Sequence, residues 1–245
     1  MTDTYNSLPQ KEKAKALAAK KALEDFVFDD FIVGIGTGST IKYFIKALSE
    51  LVVQDELEII IVPSSFETHL ELARSGLPVS TLVEFPELDT YVDSADIVTG
   101  DYVLIKGGGG ALTMEKIMAK AAKEFIVIID NSKYPQDLLS RPVPIEILPL
   151  AVNTVVEPIY NLGGEFKLRY EKGKIGPVIS DNGNVLGDIN FNQYYNPKEI
   201  EMALNSIPGV IENGIFTLDI HRLIIGQPNS VKVIDRPSSQ SKKEQ

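Results

Sequence analysis

The chain has 245 residues, 44% hydrophobic and 24% charged, a balance ordinary for a globular protein with a sizeable core. It carries a formal net charge of −10, no cysteine, and only two histidines, His69 and His221. Nucleic-acid binding, disulfides, a thiolate nucleophile and a Cys- or His-based metal site are therefore not expected, and no apolar run approaches the roughly 20 residues of a membrane span.

The first residues, "MTDTYNSLPQKEKAK", are polar and lack the apolar core of a signal peptide, so an intracellular location is expected. Ser7 and Pro9 are start signals for a helix over 8–26, with Ala14, Leu17, Ala18 and Ala22 on one face. "FIVGIG" (31–36) reads as a buried strand, "STIKYFIKALSEL" (39–51) as a helix and "LEIIIVP" (57–63) as a second strand. "FETHLELARSG" (66–76) is a helix ended by glycine. "LPVSTLV" (77–83), "TYVD" (90–93), "YVLIK" (102–106) and "FIVIID" (125–130) read as further strands, with a helix "ALTMEKIMAKAAKEF" before the last. Continuous apolar strands alternating with helices predict an α/β fold: a mainly parallel, Rossmann-like sheet with helices on both faces.

The proline-rich "RPVPIEILPL" marks a change. After it come a strand (143–148), a helix (150–161), a strand (165–170), hairpin strands (177–189) around "SDNGN", a helix (197–206) and a strand (208–213). That order suits a small α+β domain of split βαβ, ferredoxin-like type. "GIFTLDI" and "SVKVID" are expected to rejoin the first sheet. The expected domains are 1–138 with 214–236 for the α/β part and 139–213 for the small part, with a disordered tail over 237–245.

Ligands of an open parallel sheet bind beyond the carboxyl ends of its strands. There the sequence places Thr37-Gly38-Ser39-Thr40, Ser64-Ser65, Asp93 with Asp96, Lys106 with four glycines, and Asp130 followed by Asn131, Ser132 and Lys133. Turns are rich in such residues for structural reasons alone. Five loops at one edge, two of them carrying a lysine, favour a site.

"GIGTGST" is a phosphate-type loop, with glycines for close approach and a helix N-terminus behind them. It is not a dinucleotide fingerprint, because Ser39 stands where the last glycine would fall, nor a Walker A loop, because no lysine precedes Ser39. In "IKGGGGALTMEK", Glu115 could merely complement the helix dipole. Beside a ligand-approaching glycine loop and Lys106, it makes a base paired with an oxyanion stabiliser, the requirement for proton abstraction next to a carbonyl.

These segments resemble ribose-5-phosphate isomerase of the A type. "VGIGTGST" (33–40), "YVDSAD" (91–96), "LIKGGGGALTMEKI" (104–117), "IDNSK" (129–133), "VISDNGNVLGDI" (178–189) and "IPGVIENGIF" (207–216) carry the likeness, which runs from about residue 10 to 235. The resemblance implies interconversion of ribose 5-phosphate and ribulose 5-phosphate through a cis-enediolate, in the non-oxidative pentose phosphate pathway, without metal or cofactor. It implies Glu115 as the base, Asp93 for ring opening and hydroxyl proton shuttling with Asp96 alongside, and Lys106 at the enediolate. Thr37, Gly38, Ser39, Thr40, Ser94, Ala95, Gly107, Gly108, Gly109 and Lys133 would line the substrate. A homodimer or homotetramer working in the cytoplasm is implied, with a sugar phosphate as partner and neither nucleic acid nor membrane.

One departure is visible: the family's D-G-A-D is Asp93-Ser94-Ala95-Asp96 here, and a positive φ at that position would strain Ser94. "VPSSFETH" also differs from the family's serine-rich loop. A sugar-phosphate sensor domain of a repressor would need a basic DNA-binding module, which the first 30 residues lack. An acyl- or CoA-transferring enzyme on a similar sheet would need a nucleophilic carboxylate and a larger groove.

Overall fold

The computed structural model describes residues 8–55, 57–193 and 195–235. Ser7 and the tail over 237–245 lie outside the described residues. The chain runs α1 (Gln10–Phe26), β1 (Ile32–Ile35), α2 (Ser39–Asp55), β2 (Ile60–Pro63), α3 (Phe66–Arg74) and β3 (Leu88–Asp93). Two short strands, β4 (Ile97–Val98) and β5 (Leu104–Ile105), precede α4 (Leu112–Ala121) and the long β6 (Ala122–Asp130). Then come β7 (Val143–Ile147), α5 (Val156–Asn161), β8 (Gly164–Leu168), β9 (Val185–Phe191) and α6 (Pro197–Asn205). β10 (Val210–Asn213), β11 (Ile215–Phe216), β12 (Arg222–Gln227) and β13 (Ser230–Asp235) follow.

Two compact units divide the chain. The first holds residues 8–94, 117–134 and 219–235, and the second Ala95–Lys116 and Pro135–Leu218. Residues 95–116, expected in the α/β part, thus pack with the second unit, which also runs on to Leu218.

The first unit is a six-stranded sheet in the order β13-β12-β6-β3-β1-β2. All neighbours are parallel except the edge hairpin of β12 and β13. Alternation sets the two faces. Val33 and Ile35 join Ala18, Ala22, Phe44, Leu48, Leu72, Ile126 and Ile128 in one core, while the intervening Gly34 faces Leu88, Tyr91 and Met118 of α4 on the other side. Alanines line the buried side of α1 because the helix lies unusually close to β12: a Cβ on Gly226 would fall 1.9 Å from the carbonyl oxygen of Ala14. β1 pairs with β2 on one side and β3 on the other, so the strand order reverses between β1 and β3. That reversal is where open parallel sheets bind ligands.

The second unit holds a four-stranded antiparallel sheet, order β10-β7-β9-β8, built from β7–α5–β8–β9–α6–β10 as a split βαβ unit. Its core is Val143, Ile145, Ile147, Val155, Ile159, Val185, Ile189 and Leu204. A three-stranded antiparallel sheet, β11-β5-β4, belongs to the same unit.

Several elements differ from the sequence reading. Residues 77–83 form no strand: Ser80 N–H donates to Ile61 O, but a turn closed by Glu84 and Phe85 on Thr81 O ends the pairing at once. "YVLIK" and the start of "GIFTLDI" do not enter the parallel sheet but pair with each other as β5 and β11. "SVKVID" does join it, through β12, which the apolar pattern left unassigned. The expected helix over 111–125 stops at Ala121, because Ala122 and Glu124 pair with Leu88 and Thr90, so tertiary pairing overrides helix propensity. The helix expected from 150 starts only at Val156, after a 3₁₀ turn at Pro149. Of the hairpin over 177–189, only an Ile179–Val185 bridge precedes β9. His221 accepts a hydrogen bond from Phe125 N–H and His69 stacks on Phe66, both structural roles. No helix among the described residues is long and apolar enough to cross a membrane.

Tyr195 packs on Phe191 with its hydroxyl buried and without a hydrogen-bond partner. Burial, with the nearby Asp137 carboxylate, pushes its pKa up to about 12. A raised pKa means that this contribution to stability is intact below the unfolded value near 10 and is lost as pH rises towards 12. Tyr195→Phe is expected to leave stability at pH 7 equal or improved, since no hydrogen bond is lost, and to lessen the loss between pH 10 and 12. Urea unfolding across that range checks both; a clear loss of stability at pH 7 would contradict the assignment.

Candidate active site

In the first unit the carboxyl ends of β1, β2, β3 and β6 carry the polar residues singled out from the sequence. β1 leads into Gly36-Thr37-Gly38, where Gly38 takes φ 126°, and α2 begins at Ser39. Gly38 and Ser39 are exposed at this helix N-terminus, a ready anion-binding position. Thr40 is not: its side chain is fully buried and its hydroxyl has no hydrogen-bond partner. Thr37 is locked by neighbours. Its hydroxyl donates to Ser65 Oγ at 2.8 Å and lies 2.9 Å from Ser64 Oγ, and Thr68 Oγ1 in turn donates to Gly36 O at 2.7 Å. Ser64 and Ser65 were visible as strand-end hydroxyls; Thr68 gave no signal, because one helical turn separates it from them.

Asp93 ends β3 and is completely buried. Its Oδ1 accepts from the N–H groups of Ser94 (2.7 Å) and Thr37 (3.1 Å), and its Oδ2 from the Tyr91 hydroxyl (2.5 Å). Gly36 makes room for it: a Cβ there would fall 1.9 Å from Asp93 Oδ1. Tyr91, stacked on Phe125 at 5.3 Å, is a site residue that the sequence reading missed, because it reads as an ordinary strand aromatic. Lys133 Nζ donates to Ser94 Oγ at 3.3 Å. Among non-glycine described residues only Asp30 and Tyr102 have positive φ, so Ser94 is unstrained and supplies a lysine partner that glycine could not. Asp130, also completely buried, caps the turn carrying Lys133 by accepting from Ser132 N–H at 3.0 Å.

In the second unit, β5 delivers Lys106 and the first turn of α4 delivers Glu115. Lys106 Nζ lies 3.4 Å from Glu115 Oε2, with the residues 2% and 4% exposed, and 5.7 Å from the Phe216 ring centroid. Lys116 Nζ lies over the same ring, 4.8 Å from its centroid, and donates to Glu201, Glu212 and Ile215 O at 2.8 Å each. Sequence alone did not single out this second cluster, because Lys116 lies about 85–100 residues from its partners.

The four glycines between these groups make contacts within the protein. Gly107 and Gly110 have positive φ, and the N–H of Gly110 donates to Gly107 O. Gly108 N–H donates to Asp96 Oδ2 at 2.8 Å, and a Cβ on Gly108 would meet that carboxylate at 2.7 Å. Two of the loop's N–H groups, those of Gly108 and Gly110, are thus engaged within the protein. Arg169 donates to the carbonyls of Gly107 (3.2 Å) and Gly108 (3.1 Å) while its guanidinium pairs with Asp188. Gly108 and Gly109 are exposed, whereas Ala95 is buried.

The structure therefore brings together Thr37 with Asp93, Ser94 with Lys133, Asp96 with Gly108, and Lys106 with Glu115. Residues 60–230 match the family model described as ribose 5-phosphate isomerase A (phosphoriboisomerase A). The chain is 44% identical over 227 residues to ribose-5-phosphate isomerase A of Pyrococcus abyssi, covering 92% of this chain and 99% of the relative. A solved ribose 5-phosphate isomerase A from Methanocaldococcus jannaschii is 38% identical with TM-score 0.88, covering 92% of this chain and all of that one. A D-ribose-5-phosphate isomerase solved in complex with phospho-erythronic acid is 41% identical, also at TM-score 0.88, over 94% of this chain and 100% of its own.

Proposed function

The chain belongs to the ribose 5-phosphate isomerase A family, and from that premise we propose how its residues interconvert D-ribose 5-phosphate and D-ribulose 5-phosphate. The enzyme is an aldose–ketose isomerase working through a cis-enediolate. The reaction moves a proton between C2 and C1 and redistributes the hydroxyl protons of O1 and O2. It needs a base, a stabiliser for the enediolate oxygens, a group that opens the ring and an anchor for the phosphate.

Glu115 is the base. The observation that carries this assignment is its buried pairing with Lys106 at 3.4 Å. A carboxylate out of water beside an ammonium is placed to take the C2 proton while the lysine stabilises the charge that develops on the adjacent oxygen. The protonated Glu115 then returns the proton to C1. Gly107, Gly108 and Gly109 let the sugar lie along the chain beside this pair, and Asp96, hydrogen-bonded to the same loop, receives a sugar hydroxyl.

Asp93 opens the ring and shuttles the hydroxyl proton, with the Tyr91 hydroxyl and two N–H groups fixing its orientation. Gly38 and Ser39, at the N-terminus of α2, hold the phosphate, with Thr37 supporting the loop from below and Thr40 and Ala95 shaping it. Lys133, steered by Ser94, supplies the cation that a chain of net charge −10 needs locally for an anionic substrate. No metal or cofactor enters this scheme.

A cytoplasmic homodimer or homotetramer is the proposed working form.

Glu115→Gln keeps the shape and removes the base, so kcat should fall by about 10²–10⁴-fold with KM largely retained. The exchange of the C1/C2 proton with solvent deuterium should fall in step; a variant exchanging at the wild-type rate would remove Glu115 from the role. Lys133→Ala should act mainly on KM for the phosphorylated sugar, and an unchanged KM with abolished kcat would place Lys133 at the chemistry instead. Light scattering of the purified enzyme should give a mass of two or four chains; a single-chain mass at assay concentration would overturn the assembly.

A further inference from the structure

Glu146 is completely buried on β7, yet it faces away from the apolar core of its unit. Ile145 and Ile147 enter that core, so Pro144 and Glu146 project from the opposite face of the sheet. The Glu146 carboxylate accepts from Ser180 Oγ at 2.7 Å, Asn184 Nδ2 at 2.7 Å, Asn182 Nδ2 at 3.1 and 3.3 Å, and the Thr113 hydroxyl. None of these donors is charged. Burying a carboxylate with neutral partners alone is costly, and a well-packed apolar side chain would serve stability as well or better. The cage therefore calls for a reason other than stability.

Its geometry supplies one. Three donors come from the turn Ser180-Asp181-Asn182-Gly183-Asn184, where the hairpin itself requires only the positive φ of Gly183. The fourth comes from Thr113, in the first turn of α4, two residues before Glu115. The glycine loop preceding that turn has no side chains to anchor it, and Thr113 is the first residue after it with a hydrogen-bonding side chain.

We propose that Glu146, acting through Thr113, is a positioning residue for the isomerisation, on the reading that Glu115 is the base. Glu146 ties the sheet and the "SDNGN" turn to the start of α4 and so fixes the rotation of the turn that presents Glu115 to Lys106. Glu146 does not touch the substrate. A shift of about 1 Å in a catalytic group costs up to about 100-fold in rate.

Thr113→Val keeps the shape of the side chain and cuts only the link to the helix. The expected result is a fall in kcat of about 10- to 100-fold, with KM for ribose 5-phosphate nearly unchanged. The thermal midpoint should stay within a few degrees of wild type, and Thr113→Ser should restore turnover. Combining Thr113→Val with Glu146→Gln should give less than the product of the two separate losses, because both cut the same connection. If Glu146→Gln does not fold, the Val and Ser variants at 113 decide alone. Wild-type kcat in Thr113→Val, alongside an inactive Glu115→Gln, would overturn the positioning role and leave the base assignment standing. Wild-type turnover in Glu115→Gln would instead remove the base, and the role of Glu146 with it.

Discussion

The buried pair of Lys106 and Glu115 is the interaction around which the second unit is arranged. Two charges withdrawn from water must be held in good geometry, because losing either partner strands the other at a cost of about 3–5 kcal/mol. Each comes from a different element, β5 and α4, joined by four glycines that fix nothing by themselves. The geometry must therefore come from outside the loop. The Phe216 ring lies beside Lys106, and Lys116 on the same ring is tied to Glu201, Glu212 and the backbone of β11.

The four-stranded sheet supplies the rest. One of its faces is apolar core. The other presents Pro144 and Glu146 from β7 and Leu186 and Asp188 from β9, the alternate residues of each strand. These side chains meet the glycine segment in sequence order. Pro144 lies against Gly107, Asp188 holds the Arg169 that grips the carbonyls of Gly107 and Gly108, Leu186 lies against Gly110, and Glu146 takes Thr113. The loop is smooth because a sheet surface moulds it, and a Cβ at Gly107 or Gly110 would collide with that surface or its neighbours.

The first unit solves a parallel problem with different means. Asp93 sits at the end of a parallel strand with its carboxylate out of water, and the room for it exists only because Gly36, on the neighbouring strand end, has no side chain. Backbone N–H groups and the Tyr91 hydroxyl hold its oxygens, which restrains the side chain to one orientation. The replacement of the usual family glycine by Ser94 is accommodated by a backbone that does not need positive φ there, and the new hydroxyl engages Lys133.

The sequence by itself determined the α/β class, the parallel strands β1, β2, β3 and β6, and the split βαβ unit, and it singled out the residues proposed to bear the chemistry. Each of those rests on local information: apolar period, turn residues and contiguous motifs such as "GTGST" and "IKGGGGALTMEK". Only the tertiary structure decided the rest. Which sheet receives the two-residue strands β5 and β11 depends on pairing partners over 100 residues apart, and so short an apolar run carries no preference for either. The end of α4 at Ala121 was decided by β3, which pairs with Ala122 and overrides good helix formers. The clusters around Lys116 and Glu146 were invisible because a lysine, a glutamate or an asparagine in a strand, helix or turn reads as ordinary until the fold brings its distant partners to it, whereas Tyr91, two residues from Asp93 on the same strand, was passed over because a strand tyrosine reads as core.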